Sequence, residues 1–149
     1  MINRILFLLL FILTSCGYQP LYSKKETKKL IVNELEQIGN ANINKNIASA
    51  LSINIDKNLL LTNKITLESK KTIIETSKNK KGQPESFKMI IDFKFVLTDD
   101  GRILNEKYIS EEFSYKNKEN KFDLSQYEMN IEQNLINKII EKLIVYINI

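Results

Sequence analysis

Residues 87–97, with the sequence FKMIIDFKFVL, decide the fold of this 149-residue chain. Apolar side chains occupy every second position of the stretch, namely Phe87, Met89, Ile91, Phe93, Phe95 and Leu97. Alternation of this length is typical of a β-strand with one face in a hydrophobic core. The other face also carries Ile90 and Val96, as expected for a strand with neighbours on both sides. The stretch therefore predicts a long central strand.

The residues that flank this strand predict an antiparallel meander. Asp99-Asp100-Gly101-Arg102 is a tight-turn sequence that favours a hairpin. The strand after the turn would carry one set of apolar residues on one face (Ile103, Ile109, Phe113 and Tyr115) and another on the opposite face (Leu104 and Tyr108). Before the central strand, residues 65–76 (ITLESKKTIIET) predict a third strand, followed by a polar loop that Gly82 and Pro84 close.

One helix is predicted before the meander in the chain, and a second helix is predicted after it. Apolar residues recur every four positions at Ile43, Ile47, Leu51, Ile55 and Leu59, which indicates an amphipathic helix, although the alternation Leu51, Ile53, Ile55 competes as a strand signal. The C-terminal stripe, which is Ile131, Leu135, Ile136, Ile139, Ile140, Leu143, Ile144 and Ile147, predicts a long helix that lies on the sheet. A capping box of Asp123 with Gln126, or of Ser125 with Glu128, would start this helix.

A short strand over residues 30–35, ending near Gly39-Asn40, completes the element order β-α-β-β-β-α. We therefore predict an α+β fold in which two helices pack on one face of a roughly four-stranded sheet. Residues 30–149 would form this single domain. The apolar stripe of the last helix could instead rest on a membrane surface, but the apolar face of the strands needs a cover, so core packing is favoured.

The N-terminus has the layout of a lipoprotein signal. Arg4 precedes an apolar run over residues 5–13, and Leu13-Thr14-Ser15-Cys16 follows. Nine apolar residues are too few for a transmembrane helix, which needs roughly 20. We predict a signal peptide over 1–15, cleavage between Ser15 and Cys16, and a Cys16 that carries S-diacylglycerol and an N-acyl chain. Residues 16–29 would be the lipidated N-terminus and tether. The alternative is an ordinary signal peptide followed by an incidental cysteine.

Composition excludes several classes of protein. The 22 Lys and Arg residues are interspersed with 18 Asp and Glu, without the dense basic block of a nucleic-acid binder. The chain has no histidine, and Cys16 is its only cysteine, so no metal, cofactor or catalytic residue is expected. Two carboxylate pairs have ordinary explanations: Asp99-Asp100 forms a turn, and Glu111-Glu112 occupies successive strand positions that face opposite ways. We therefore expect no enzyme activity.

Residues 16–22, CGYQPLY, resemble the C-G-F-x-P-L-Y start found in one bacterial branch of the LPS-assembly lipoprotein family LptE. The element order and the stretch 113–127, which leads from a strand ending in Phe113-Ser114-Tyr115 into the last helix, are also similar to that family. The chain departs from the family pattern in having Tyr18 in place of Phe and in having very few arginines.

The resemblance implies two helices on a four-stranded sheet and a place inside the outer-membrane β-barrel LptD, where the protein helps to deliver lipopolysaccharide to the outer leaflet. A lipid-anchored position in the outer membrane, facing the periplasm, fits Gly17 directly after the cysteine. Lipopolysaccharide itself is a possible ligand, and its phosphates would need cations. The candidates are Lys70, Lys71, Lys78, Lys80 and Lys81, which we expect to lie together around the junction of strand and loop. A solvated lysine-rich loop is the alternative. A generic adaptor or pilot for another envelope complex is the alternative function.

Overall fold

The computed structural model describes residues 29–58 and 62–147. The elements in chain order are β1 (Leu30–Val32), β2 (Glu34–Gly39), α1 (Ala41–Ala50), β3 (Ile53–Ile55), β4 (Lys64–Lys78), β5 (Pro84–Asp99), β6 (Arg102–Lys116) and α2 (Lys121–Ile147). Four strands form a sheet in the order β2-β4-β5-β6, in which β2 runs parallel to β4 and the other neighbours are antiparallel. β1 and β3 pair in parallel as a separate small sheet. The predicted α+β fold is confirmed.

The predicted hairpin joins β5 to β6. Asp100 and Gly101 both have positive φ angles, 45° and 74°, as the turn favoured by twisted antiparallel strands requires. Thr62, which precedes β4, ties this turn to the sheet: its Oγ1 donates to Asp99 Oδ1 at 2.8 Å and accepts from Asp100 N at 3.0 Å.

The core lies between the sheet and the two helices. Every second residue of β5 from Met89 to Phe95 is buried, and Phe87 and Leu97 pack at its two ends. α1 covers this face with Ile43, Ile47 and Ala48, and α2 covers it with Ile131, Leu135, Ile136, Ile139 and Leu143. The stripe of α2 is therefore core, as its spacing predicts. Burial of a side chain the size of Leu or Phe stabilises the fold by about 1.5–3 kcal/mol relative to exposure.

The first helix is shorter than predicted. Asn40 caps its start by accepting hydrogen bonds from the backbone of Asn42 and Ile43, and the helix ends at Ala50. Ser52 then adopts a left-handed φ of 51°, which redirects the chain into β3. The competing alternation Leu51, Ile53, Ile55 was therefore the correct signal beyond Ala50. Leu59 lies outside the described residues.

The first predicted strand is divided in two. The backbone N–H of Asn33 points at Asn63, whose carbonyl and side-chain oxygens both lie 3.0 Å away. β1 therefore pairs with β3, while β2 pairs with β4.

A β-bulge changes the predicted face of Ile103. Leu97 of β5 pairs with Asn105, whereas Thr98 pairs with Ile103, so the bulged strand gains one residue. Ile103 therefore leaves the face of Ile109 and Tyr115 and is 60% exposed. The prediction that Ile103 belongs to the buried face is wrong for this reason.

The last helix starts earlier than the predicted capping boxes. Asn120 precedes it, and the side-chain oxygen of Asn120 accepts a hydrogen bond from Phe122 N at 2.9 Å. Leu124 N donates to the backbone oxygen of Asn120 at 3.0 Å. Asn120 therefore supplies the N-terminal cap, and neither predicted box does.

Gly39, where β2 ends, allows a close approach to β4, and its replacement by alanine tests that contact. An added Cβ would lie 1.9 Å from the backbone oxygen of Ser69. Gly82 has a similar φ, 76° against 88°, but open space around it. We expect Gly39→Ala to lower the free energy of unfolding by about 1–3 kcal/mol more than Gly82→Ala, measured by urea denaturation. Equal losses would show that backbone conformation, and not the close approach, fixes Gly39.

Candidate functional site

Two surfaces carry most of the polar side chains that the sequence singles out. We call the side of the four-stranded sheet opposite the helices the open face. We call the β4–β5 turn (79–83), the β6–α2 connection (117–120) and the first turn of α2 the distal end.

The structure does not bring the five candidate lysines together. Lys70 and Lys71 are neighbours in the middle of β4, so their side chains point to opposite faces of the sheet. Lys78 is eight residues further along, about 26 Å away at the usual rise of a strand. Lys71 forms an ion pair with Glu132 of α2 at 2.8 Å, and Lys78 forms one with Glu75 at 3.5 Å. The expectation of one cluster at the strand–loop junction is therefore wrong.

At the distal end, the β6–α2 connection folds against the β4–β5 hairpin. The side chain of Asn117 donates to the Pro84 carbonyl at 2.8 Å, and its backbone N–H donates to the Glu85 carbonyl at 2.8 Å. This end, with the strand residues that adjoin it, therefore gathers six lysines: Lys78, Lys80, Lys81, Lys116, Lys118 and Lys121. The last three belong to a lysine-rich stretch that the sequence displays, but their proximity to the hairpin depends on the long-range contacts of Asn117.

A cleft of about 870 Å³ opens at the distal end. Its lining includes Asn79, Gln83, Phe87, Lys118, Lys121 and Leu124, together with the carboxylates of Glu85, Glu119 and Glu128. The cleft thus combines apolar side chains with charges of both signs. It could receive an amphipathic ligand, but it is not a cavity of one charge.

Aromatic side chains pack against one another at the distal end. The rings of Phe87 and Tyr115 lie 5.7 Å apart, and Tyr127 meets Tyr115 edge-on at 6.1 Å. Tyr115 is buried and donates its hydroxyl hydrogen to Glu128 at 2.6 Å. Burial, followed by this bond to a carboxylate, raises the pKa of Tyr115 well above 10. Lys118 lies over the Tyr127 ring with its Nζ 4.4 Å from the centroid.

The open face mixes polar residues with apolar ones such as Ile74, Ile90 and Val96, and most of its charges are paired. Asp92 in its centre accepts hydrogen bonds from the hydroxyls of Tyr108 (2.9 Å) and Ser110 (2.7 Å). Ion pairs join neighbouring strands around it: Lys88 with Glu112 at 2.9 Å, Lys94 with Glu106 at 2.7 Å, and Lys64 with Glu36 at 3.0 Å and Glu34 at 3.2 Å. Such exposed pairs contribute little to stability, so they define the character of the surface more than the strength of the fold.

These contacts shift the pKa values of Lys64, Glu36 and Tyr108 on the open face. Hydrogen bonds to Glu36 and Glu34 raise the pKa of Lys64, and the bond from Lys64 lowers the pKa of Glu36. The bond to Asp92 raises the pKa of Tyr108. The pair of Lys64 and Glu36 therefore stays charged throughout the neutral range.

The described residues contain no group of three or more His, Cys, Asp or Glu side chains that could hold a metal ion. Of the two helices in the described ranges, neither is both long and apolar enough to cross a membrane. The two carboxylate pairs lie where the sequence places them, because Asp99 and Asp100 are at the turn, while Glu111 binds Lys142 and Glu112 binds Lys88. Ser15 and Cys16 lie outside the described residues.

The described residues define a class of fold, two helices on one face of a mixed four-stranded sheet, that bacterial lipoproteins of known structure share. The crystal structure of the rare lipoprotein B from Shewanella oneidensis superposes with a TM-score of 0.59 at 10% identity, covering 78% of this chain and 94% of that chain. An uncharacterized lipoprotein B from Nitrosomonas europaea gives 0.54 at 9% identity, over 84% and 88% of the two chains. A minor lipoprotein from Acinetobacter baumannii gives 0.50 at 13% identity, over 76% and 89%.

At these identities the likeness concerns the fold alone. Comparison with protein-family models finds no match for this chain, and comparison with curated proteins finds none either.

The bond from Tyr115 to Glu128 gives a testable contribution to stability. We expect Tyr115→Phe to lower the free energy of unfolding by about 1–2 kcal/mol, because it removes a buried hydrogen bond to a carboxylate. Tyr108→Phe is the matched control, since Tyr108 also donates to a carboxylate but is 62% exposed. It should change stability by no more than about 0.5 kcal/mol. An equal loss in both variants, measured by chemical denaturation, would contradict a special role for Tyr115.

The raised pKa of Tyr115 also predicts a pH dependence. Tyrosines in the unfolded chain ionise near pH 10, whereas Tyr115 in the folded chain keeps its proton beyond that pH. The contribution of Tyr115 to stability should therefore be complete below pH 10 and should fall as the pH rises above it. Urea denaturation from pH 8 upwards should show a smaller alkaline loss in Tyr115→Phe than in the unmodified protein.

Proposed function

We propose that this protein is a non-enzymatic lipoprotein of the Gram-negative envelope, anchored in the outer membrane through Cys16 with its folded part facing the periplasm. One coincidence carries the proposal: a lipidation signal at Cys16 precedes a fold that solved bacterial lipoproteins share. The two observations are independent, because the first is a pattern of the N-terminal sequence and the second rests on the residues that follow it.

More specifically, we propose that the chain partners an LptD-like outer-membrane β-barrel in assembling lipopolysaccharide at the outer leaflet. The support is the CGYQPLY sequence of residues 16–22, which resembles the start of LptE proteins, together with the element order of the fold. Fold alone would not separate this function from other lipoprotein functions.

The open face suits contact with the polar inner wall of a barrel. Its lysines 64, 88 and 94 are each paired with glutamates, and Asp92 is hydrogen bonded to two hydroxyls. Burial of an unpaired charge is costly, whereas a charge whose partner lies on the same surface carries less of that cost. Apart from Lys70, for which the described residues supply no ion-pair partner, the lysines of this face could therefore be covered by a polar partner while they keep their own counter-charges.

The distal end suits contact with lipopolysaccharide. Lipid phosphates are recognised by Lys or Arg, and the lysines that remain near one another are those of this end, Lys78, Lys80 and Lys81 with Lys116, Lys118 and Lys121. Phe87 and Leu124 in the adjoining cleft offer apolar contact. Lys70 and Lys71 are too far along β4 to join the same ligand headgroup.

The second candidate function is an adaptor or pilot for another envelope complex. The lipidation signal and the fold fit it equally well, so residues 16–22 are the feature that favours the first candidate. If the protein is a pilot, affinity purification of the chain should recover a different envelope assembly, without a large β-barrel in stoichiometric amount.

An affinity experiment tests the proposed partnership. The full chain with a C-terminal tag would be isolated from detergent-solubilised outer membranes, and co-purifying proteins would be identified by mass and by heat-modifiable gel mobility. We expect one large β-barrel in stoichiometric amount, and we expect that barrel to be lost from the membrane when this protein is depleted. Recovery of no barrel, or of a different envelope assembly, would contradict the partnership.

A matched variant tests the anchor separately. Cys16→Ala removes the thiol that would receive diacylglycerol, so we expect the chain to leave the membrane fraction and to lose labelling by a radioactive fatty acid. A single acyl chain holds a protein only marginally, whereas two or more anchor it stably, so loss of the whole anchor should be complete. Fatty-acid labelling that persists in Cys16→Ala would overturn the anchor at Cys16.

A further inference from the structure

One edge of the main sheet is only half covered. β4 has 15 residues, but β2 pairs only with its segment from Lys64 to Ser69. α1 then leaves the plane of the sheet towards the core face, where Ile43 and Ile47 are buried. In the described part of the chain no strand lies beside residues 71–77 on this side, and we call that segment the free β4 edge.

The backbone of the free β4 edge is oriented to accept a strand. The last bond of the β2 ladder runs from Asn40 N to the Ser69 carbonyl at 3.1 Å, so the polar groups of Ser69 point away from β5. In an antiparallel pair these groups alternate in direction from residue to residue. The N–H and C=O groups of Lys71, Ile73 and Glu75 therefore also point outward.

The side chains of this edge include exposed apolar residues. Ile73 and Ile74 are 40% and 42% exposed, and as consecutive strand residues they place apolar surface on both faces. The opposite edge of the sheet differs, because Tyr146 of α2 donates its hydroxyl hydrogen to the Glu106 carbonyl of β6 at 3.0 Å. Lys107 of β6 in turn lies over the Tyr146 ring. Proteins commonly cover exposed edges in this way, whereas the free β4 edge carries Lys71 and a register irregularity between Glu75 and Ser77.

The charge along this edge is positive. Lys70, Lys71, Lys78, Lys80 and Lys81 lie on it or directly beyond it, and two of them are already paired, Lys71 with Glu132 of α2 and Lys78 with Glu75. Lys70 has no ion-pair partner among the described residues, since Asp92, its register neighbour on β5, is hydrogen bonded to Tyr108 and Ser110. A strand with carboxylates beside its apolar residues would complement this edge.

A second copy of the chain does not fit. An antiparallel β4 centred on Ile73 would place its own Ser77 opposite Ser69, which is already paired with Gly39. The β4–β5 turn of the second copy would then occupy the position of β2. The space in line with β2 accommodates a separate segment of about five to seven residues, the usual length of a strand.

We propose that the free β4 edge binds an extended segment of a partner protein, in which apolar and acidic residues alternate and which adds a strand to the sheet in line with β2. Main-chain hydrogen bonds to Lys71, Ile73 and Glu75 supply affinity, and the isoleucines and lysines supply selectivity. The binding mode itself requires neither a barrel nor lipopolysaccharide, although Lys78, Lys80 and Lys81 also belong to the distal end.

Peptides of defined sequence test this binding mode. The full chain, ¹⁵N-labelled and purified in detergent, would be titrated with the acetylated and amidated peptide EVEIEVE and with its basic counterpart KVKIKVK. We expect the acidic peptide to slow hydrogen exchange at the amides of Lys71, Ile73 and Glu75 by about tenfold or more. The amides of Thr72 and Ile74, which already face β5, should not change. The basic peptide should bind more weakly.

Two controls separate strand addition from charge attraction. N-methylation of alternate peptide residues should weaken binding by about tenfold or more when it blocks the edge that faces β4, and little when it blocks the other edge. Lys70→Glu should weaken binding of the acidic peptide by about threefold or more, whereas Lys45→Glu, an exposed lysine on α1, should leave it unchanged.

Three results would overturn the proposal: equal binding of both N-methylated peptides, protection at β6 amides in place of Lys71, Ile73 and Glu75, or no slowing of exchange at millimolar peptide. Because these measurements use neither the barrel nor the membrane anchor, failure here would leave the proposed function unaffected.

Discussion

The structure depends on covering one apolar face of β5. That strand carries the largest fully buried side chains among the described residues, Phe93 and Phe95, and it has strands on both sides. The other elements therefore supply its backbone hydrogen bonds or cover its apolar side chains. β4 and β6 satisfy its backbone, while α1 and α2 exclude water from its side chains. The opposite face carries most of the paired charges of the sheet, and this asymmetry gives the molecule a core side and a charged side.

Much of this architecture could be predicted, because the relevant signals are local. The alternation along β5, the Asp100-Gly101 turn and the apolar stripe of α2 each specify their own element from neighbouring residues. The predictions that were wrong concern places where a single residue changes the direction of the chain, the register of a strand or the start of a helix. The left-handed Ser52 ends a helix whose apolar spacing continues, the bulge near Leu104 moves Ile103 out of the core, and Asn120 caps α2 before either predicted capping box. None of these features alters the spacing of apolar residues from which helices and strands are predicted.

The candidate site was less predictable, because it is assembled from distant parts of the chain. Five lysines within 12 positions suggested one cluster, but an extended strand separates residues that a loop would have kept together. The lysines that do share the distal end come from two connections, and the hydrogen bonds of Asn117 to Pro84 and Glu85 bring these connections together. On the open face, the bonds from Tyr108 and Ser110 to Asp92 depend on the strand register of β5 and β6, which the bulge in turn shifts by one residue.

The parallel pairing of β2 with β4 has a consequence for how the chain folds. β4, β5 and β6 are joined by short turns, so their pairing closes small loops, whereas Glu36 and its neighbour Thr66 are 30 positions apart. Contacts between distant residues form late, because the entropy of a long loop must be lost before they contribute. We therefore expect the β4–β6 meander to form first and the amides of β2 to be the last in the sheet to gain protection from hydrogen exchange. Until then the whole length of β4 is an exposed edge, and the newly made chain is at its most prone to aggregation during that interval.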